Sequence, residues 1–241
     1  MYAVLGTLEN LCALDENARA ILTNKKPITI GLFVKGGPNA TITFKNGRCR
    51  MEGGVGPCDI KLPFSSCEKF NGLIDGTVTP IPTKGLQHIG FLLKCFVPLT
   101  DLLAKYMRPD PADLEDENFF NISTSLMLYT ISVAISQIGN NDEIGRFSAH
   151  LIPDGDIQLS IAGGPGATIR VKNHHLVTIK KLPESPRALM EFSSMKLARE
   201  LFDGKVNAVA CIGAGTIKMG GMINMVDNVN RILDRVALYL A

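Results

Sequence analysis

The segment Gly36-Gly37-Pro38-Asn39-Ala40-Thr41-Ile42-Thr43-Phe44-Lys45-Asn46 returns as Gly163-Gly164-Pro165-Gly166-Ala167-Thr168-Ile169-Arg170-Val171-Lys172-Asn173, an offset of 163 − 36 = 127. Phe64-Ser65-Ser66 returns as Phe192-Ser193-Ser194, and Asp75-Gly76-Thr77-Val78 as Asp203-Gly204-Lys205-Val206, both offset by 128. Blocks that recur in one order with a single residue of drift point to an internal duplication. The repeated unit is roughly 105–125 residues, an ordinary size for a small domain. The expected organisation is therefore two tandem units, 1–112 and 113–241, each able to bury its own core.

Within the first unit, Leu8, Leu11, Leu14, Ala18, Ile21 and Leu22 recur at helical spacing, which predicts an opening helix that ends near Asn24. Strands are expected at Ile28 to Val34, Ala40 to Phe44, Arg48 to Met51 and Asp59 to Phe64, with Asn46-Gly47 as a hairpin turn. Ser65, three residues ahead of Glu68, reads as a capping box for the helix that follows.

The second unit repeats the plan. A helix follows Asp113, Glu115, Asp116 and Glu117, acidic residues that suit the positive end of a helix dipole. Strands are expected at Arg146 to Ile152, Ile157 to Ile161, Thr168 to Val171, Leu176 to Lys180 and Leu189 to Phe192, then a Ser-capped helix that Asp203-Gly204 stops.

This order resembles that of the type-two sterol carrier protein family, whose domains bind lipids. The resembling residues are Thr168 to Asn173, Phe192-Ser193-Ser194, Leu201 to Val206, and Gly215-Thr216-Ile217-Lys218-Met219-Gly220-Gly221. The last looks like the family's Gly-x-apolar-x-apolar-x-Gly strand. In the first unit the corresponding stretch, Lys84 to Phe91, lacks that glycine spacing. Its Leu86, Ile89, Leu93 and Phe96 share a helical face, so a helix beginning near Pro82 and kinked or restarted at Pro98 should replace the closing strand. The sheet of the first unit should then be one strand short, with an edge that needs covering. The implied fold class is α+β: two tandem sterol-carrier-like units, each a mostly antiparallel sheet covered by helices.

The function this implies is non-catalytic binding or carriage of a lipid, whether fatty acid, acyl derivative or sterol-like molecule, in an internal cavity. Met222, Met225, Val226, Val229, Ile232, Leu233, Val236 and Leu240 form an apolar stripe, with Asp227, Asn228, Arg231 and Asp234 facing away. Methionine adapts to irregular, variable cavities. The expected ligand-binding residues are Met219, Met222, Met225, Val226, Val229 and Leu233, joined by Leu92 and Phe96 from the first unit. Two alternatives stay open: a ligand-free assembly or regulatory module, and an acyl hydrolase using Ser or Cys.

Catalytic residues, cofactors and metal are all expected to be absent. Ser65, Ser66, Ser193, Ser194, Asp75 and Asp203 have capping explanations. His88 and His150 have no counterpart in the other copy, and His174-His175 occupies a hairpin turn, where it should be exposed. Gly213-Ala214-Gly215 lacks the helix that a dinucleotide loop requires. A net charge of +2, no Trp and 6% aromatic residues give no footprint for nucleic acid. Six cysteines without C-x-x-C spacing or a signal peptide suggest reduced thiols in a cytoplasmic protein. The uncharged run Asn118 to Asn141 is long enough to span a bilayer, but its many Ser, Thr and Asn residues favour a buried helix, so no integral membrane segment is expected. Self-association into a homo-oligomer is compatible with the sequence.

Overall fold

The computed structural model describes residues 1–240, with the side chain of Leu240, expected on the apolar stripe, lying outside the described residues. The chain divides into Met1–Pro109 and Asp110–Ala241.

In the first unit, α1 (Tyr2–Leu5), α2 (Leu8–Leu14) and α3 (Glu16–Leu22) precede β1 (Ile28–Val34), β2 (Ala40–Lys45), β3 (Arg48–Gly53), β4 (Ile60–Phe64) and α4 (Cys67–Ile74). The predicted opening helix is broken at Asp15, whose extended backbone ends α2 while its carboxylate accepts the Ala18 N–H and caps α3. The cap of α4 is Ser66, one residue later than the sequence suggests, and its hydroxyl accepts the Lys69 N–H. A continuous helical run closes the unit: a 3₁₀ turn (Leu86–His88), α5 (Ile89–Phe91), a π turn (Leu92–Phe96) and α6 (Val97–Met107). Pro98 has no N–H to return to the preceding turn, and the π turn lies directly upstream, where such a loss is absorbed.

The sheet order is β3-β2-β1-β4, with β1–β2 and β2–β3 antiparallel and β1–β4 parallel. It is one strand short of the second unit's sheet, as the periodicity predicts. A remnant of the fifth strand survives as a single bridge between Lys61 and Lys84. Pro80 and Pro82 supply no donors to a ladder there. The core gathers Ile30, Leu32, Ile42, Ile60 and Leu62 under Leu8, Leu11 and Leu99, all buried, with Phe44 centred 5.3 Å from Phe91 and 6.2 Å from Phe96.

The second unit runs from a 3₁₀ turn (Pro111–Glu115) into α7 (Glu117–Asn141), α8 (Glu143–His150), β5 (Gly155–Ile161), β6 (Gly166–Lys172), β7 (His175–Ile179), β8 (Ala188–Phe192), α9 (Met195–Phe202), α10 (Ala208–Gly213), β9 (Ile217–Gly221) and α11 (Ile223–Leu240). The expected strand at Arg146 to Ile152 is instead α8 and its exit. Asp142 breaks α7 with extended backbone and accepts the Gly145 N–H, which starts a new helix where apolar alternation alone suggested a strand. The order is β7-β6-β5-β8-β9, again antiparallel except for β5–β8. Both units therefore repeat one topology, and Asn46-Gly47 and Asn173-His174 take positive φ in matching two-residue hairpin turns. His174 and His175 are exposed as expected, with the His174 ring stacked 4.8 Å from His150.

Among the described residues, two helices are long and apolar enough to cross a membrane by length and composition. In Glu117–Asn141, 61% of the relevant window is buried, and α7 packs on β6, β7 and α11 as a core helix. The other, Leu86–Met107, is only 28% buried and leaves Leu86, Ile89, Leu93 and Val97 exposed along one side.

Candidate functional site

The predicted ligand residues of the second unit lie where β8, β9 and α11 meet. Met219, half-buried on β9, pairs across the sheet with buried Met190. Gly215 and Gly221 flank the strand with φ of +72° and +76°. A Cβ at Gly221 would overlap the Arg187 carbonyl oxygen, which also receives the Met222 N–H, so glycine lets the chain turn tightly against β8 into α11.

From α11, Met225, Val226, Val229, Ile232 and Val236 are buried, packed toward α7, α8, β8 and β9. Leu233 is half-buried. Met222 lies one residue ahead of the helix and is 37% exposed, so the expectation that it points inward is corrected: helical periodicity does not govern a residue outside the helix. Asn228, expected to face away, is buried, where its amide donates to the Asn224 carbonyl and side chain. Leu92 and Phe96 belong to the first unit, buried beside its own aromatic core.

The far end of α11 is clamped to the α7–α8 joint. Arg235 and Tyr239 reach the Asp142 carboxylate at 3.0 and 2.8 Å. The Arg235 hydrogen bond, the Gly145 N–H and the Tyr239 hydroxyl together lower the Asp142 pKa to about 2. A depressed carboxylate contributes stability that is present above its unfolded value and lost as pH falls through the folded one. The melting temperature of the full chain should therefore fall between about pH 4 and about pH 2, and Asp142→Asn should flatten that part of the profile. Calorimetry across this window checks it, and an unchanged slope in the variant would rule the clamp out as its source.

In the first unit, Asp15 holds the equivalent joint, accepting the Tyr106 hydroxyl at 2.6 Å. Nearby, a groove of about 620 Å³ is lined by Glu9, Thr43, Lys45, Arg48, Cys49, Arg50 and Glu52. Its charged walls do not suit an apolar chain, and it touches none of the predicted ligand residues. The alternation Arg48, Arg50, Glu52 on one strand was its only sequence signal.

No protein-family model matches the chain, and no curated protein does. Among solved structures, a sterol carrier protein domain 2 of Helicoverpa armigera is 16% identical, with a TM-score of 0.37, over 46% of this chain and 88% of that one. The ubiquinone synthesis protein UbiJ-SCP2 is 11% identical at a TM-score of 0.36, over 47% and 93%. Palmitated SCP2L2 of Aedes aegypti is 13% identical at 0.33, over 44% and 90%. Each of these three matches covers less than half of this chain and most of the other. Over that length, the chain is similar to sterol carrier protein 2 domains.

Proposed function

We propose that the second unit binds an apolar small molecule of the lipid class, without catalysis, between α11 and the β8–β9 edge. The observation that carries this reading is a graded apolar path at the start of α11. Met222 is 37% exposed and Ile223 57% exposed, while Met225 and Val226, one helical turn further, are fully enclosed. Residues three and four apart on a helix share a side, so exposed Ile223 and enclosed Val226 are neighbours on α11, with Met222 leading into them. Unbranched thioether side chains can move aside for an acyl chain at low cost.

Two features support a non-catalytic role. The hydroxyls of Ser66 and Ser194, candidates for a nucleophile, accept the N–H groups of Lys69 and Leu197 as helix caps. The His174 imidazole, at a hairpin turn, stacks on that of His150 at the end of α8, whose Nδ1 is held at the Arg146 carbonyl. The matching topologies of the two units support their origin as tandem copies, and a ligand carried in this way suits a cytoplasmic lipid-transfer role.

Saturated fatty acids of graded length are the first probe. At a hundredfold excess over Kd, binding should stabilise the fold by about 2.7 kcal/mol, read as a rise in Tm. Met222→Lys should leave the unliganded Tm unchanged, since the side chain is partly exposed, but reduce the ligand-induced shift. Asp227→Lys, on the exposed side of α11, should reduce neither. No shift at any chain length, together with no lipid retained in native mass spectrometry, would overturn the reading.

A further inference from the structure

Two thiols meet inside the first unit. Cys12, on α2 and fully buried, lies with its Sγ 3.9 Å from that of Cys49, on the edge strand β3. Cys49, buried to 9% exposure, forms part of the wall of the charged groove, whereas Cys12 is fully enclosed. The contact is held by an independent tether: Glu9, on the same helix, accepts the Met51 N–H of the same strand at 2.7 Å.

The second unit shows that this helix–strand contact needs no sulfur. With the offset of 127, Glu9 and Met51 correspond to Ser136 and Thr178, whose hydroxyls are 2.6 Å apart, and Cys12 and Cys49 correspond to Gly139 and Leu176. A Cβ at Gly139 would press on the Leu176 side chain, so glycine and leucine make the same junction by plain packing. The thiols are thus a feature added to a contact that is built without them elsewhere in the chain.

We propose that Cys12 and Cys49 are a modification site, which a peroxide converts to an intramolecular disulfide that ties α2 to the sheet edge. The sulfurs need to close from 3.9 Å to about 2.05 Å, within the reach of side-chain rotation and a small shift of the helix. The Cys49 thiolate attacks one peroxide oxygen, breaking the O–O bond to give a sulfenic acid and hydroxide. The Cys12 thiolate then attacks the sulfenic sulfur, forming the S–S bond and expelling a second hydroxide. The two thiol protons convert both hydroxides to water; two electrons leave the sulfurs and reduce the peroxide. In the reduced pair the hydrogen bond with Cys49 lowers the Cys12 thiol below its usual range, against burial and the nearby Asp15 carboxylate.

The test treats the full chain with hydrogen peroxide, then unfolds and alkylates it, and maps linked peptides by mass spectrometry. A Cys12–Cys49 cross-link that dithiothreitol reverses is expected. Closing this loop should raise the Tm of the first unit by at least about 5 °C, a shift absent from Cys12→Ala and Cys49→Ala. The Cys12→Ala variant should retain a sulfenic acid at Cys49, trapped by dimedone. The proposal is overturned if both cysteines remain fully alkylated at peroxide doses that oxidise the exposed Cys67, or if the cross-link found joins other cysteines.

Discussion

Replacing Gly221 with alanine is expected to destabilise the second unit by about 3 kcal/mol or more, and Gly85→Ala to cost the first unit a similar amount. Their backbones have φ of +76° and +86°, where any Cβ is strained. The larger cost is steric. At Gly221 the new Cβ would overlap the Arg187 carbonyl and crowd the Ala188 Cα; at Gly85 it would overlap the Asp59 carbonyl and crowd the Ile60 Cα. Those atoms are backbone at the start of β8 and β4, so no rotamer change relieves the clash. Gly215→Ala is the control, since it shares the positive φ, +72°, but has open space around it, and it should cost only about 1–2 kcal/mol. Urea unfolding of the three variants decides the matter: equal losses at Gly221 and Gly215 would refute the steric argument.

The same pair of glycines shows where the sequence was legible and where it was not. The full glycine spacing around Ile217, Lys218 and Met219 marks β9 correctly, and its absence after Pro82 correctly removes a strand from the first sheet. Yet Gly85 keeps the structural position of Gly221, at the far end of a strand reduced to one bridge. Spacing within a motif could not reveal this, because the proline-containing stretch preserves the last glycine and discards the rest. Hairpin turns were legible because the dihedral demand is local to two residues. The parallel pairing of β1 with β4 and of β5 with β8 was not, since the partners are joined through other strands and leave no local mark. The breaks at Asp15 and Asp142 are made by single extended residues whose carboxylates cap the next helix, so an apolar period running across them looked unbroken or strand-like. For the candidate site, the buried half of the α11 stripe follows from periodicity. The exposure of Met222 and the burial of Asn228 do not, being set by where the helix starts and by a local hydrogen bond.

The repeated Asp-Gly after the capped helix carries the second large effect, which the two copies should show unequally. In the second unit Asp203 is paired with Arg199 at 2.9 Å and with Lys205 at 3.0 Å. The Arg199 side chain is only 7% exposed, and its other contact is the hydroxyl of buried Ser123 on α7, at 2.7 Å. Burial pushes the Asp203 carboxyl up, but the hydrogen bonds from Arg199 and Lys205 outweigh it and hold it below the usual range. Removing the carboxylate leaves a buried guanidinium uncompensated, and Asp203→Ala should cost about 3–5 kcal/mol. The double variant Arg199→Met, Asp203→Ala should recover much of this, because apolar packing can replace a buried ion pair at little net cost. In the first unit, Asp75 and the residue corresponding to Arg199, Asn71, are both exposed, and Asn71 carries no charge. Asp75→Ala should therefore cost no more than about 0.5 kcal/mol, the ordinary range for a surface change. Equal losses at Asp75 and Asp203, or no recovery in the double variant, would show that the motif acts as a helix stop in both units and that the buried charge in the second has no part in the difference.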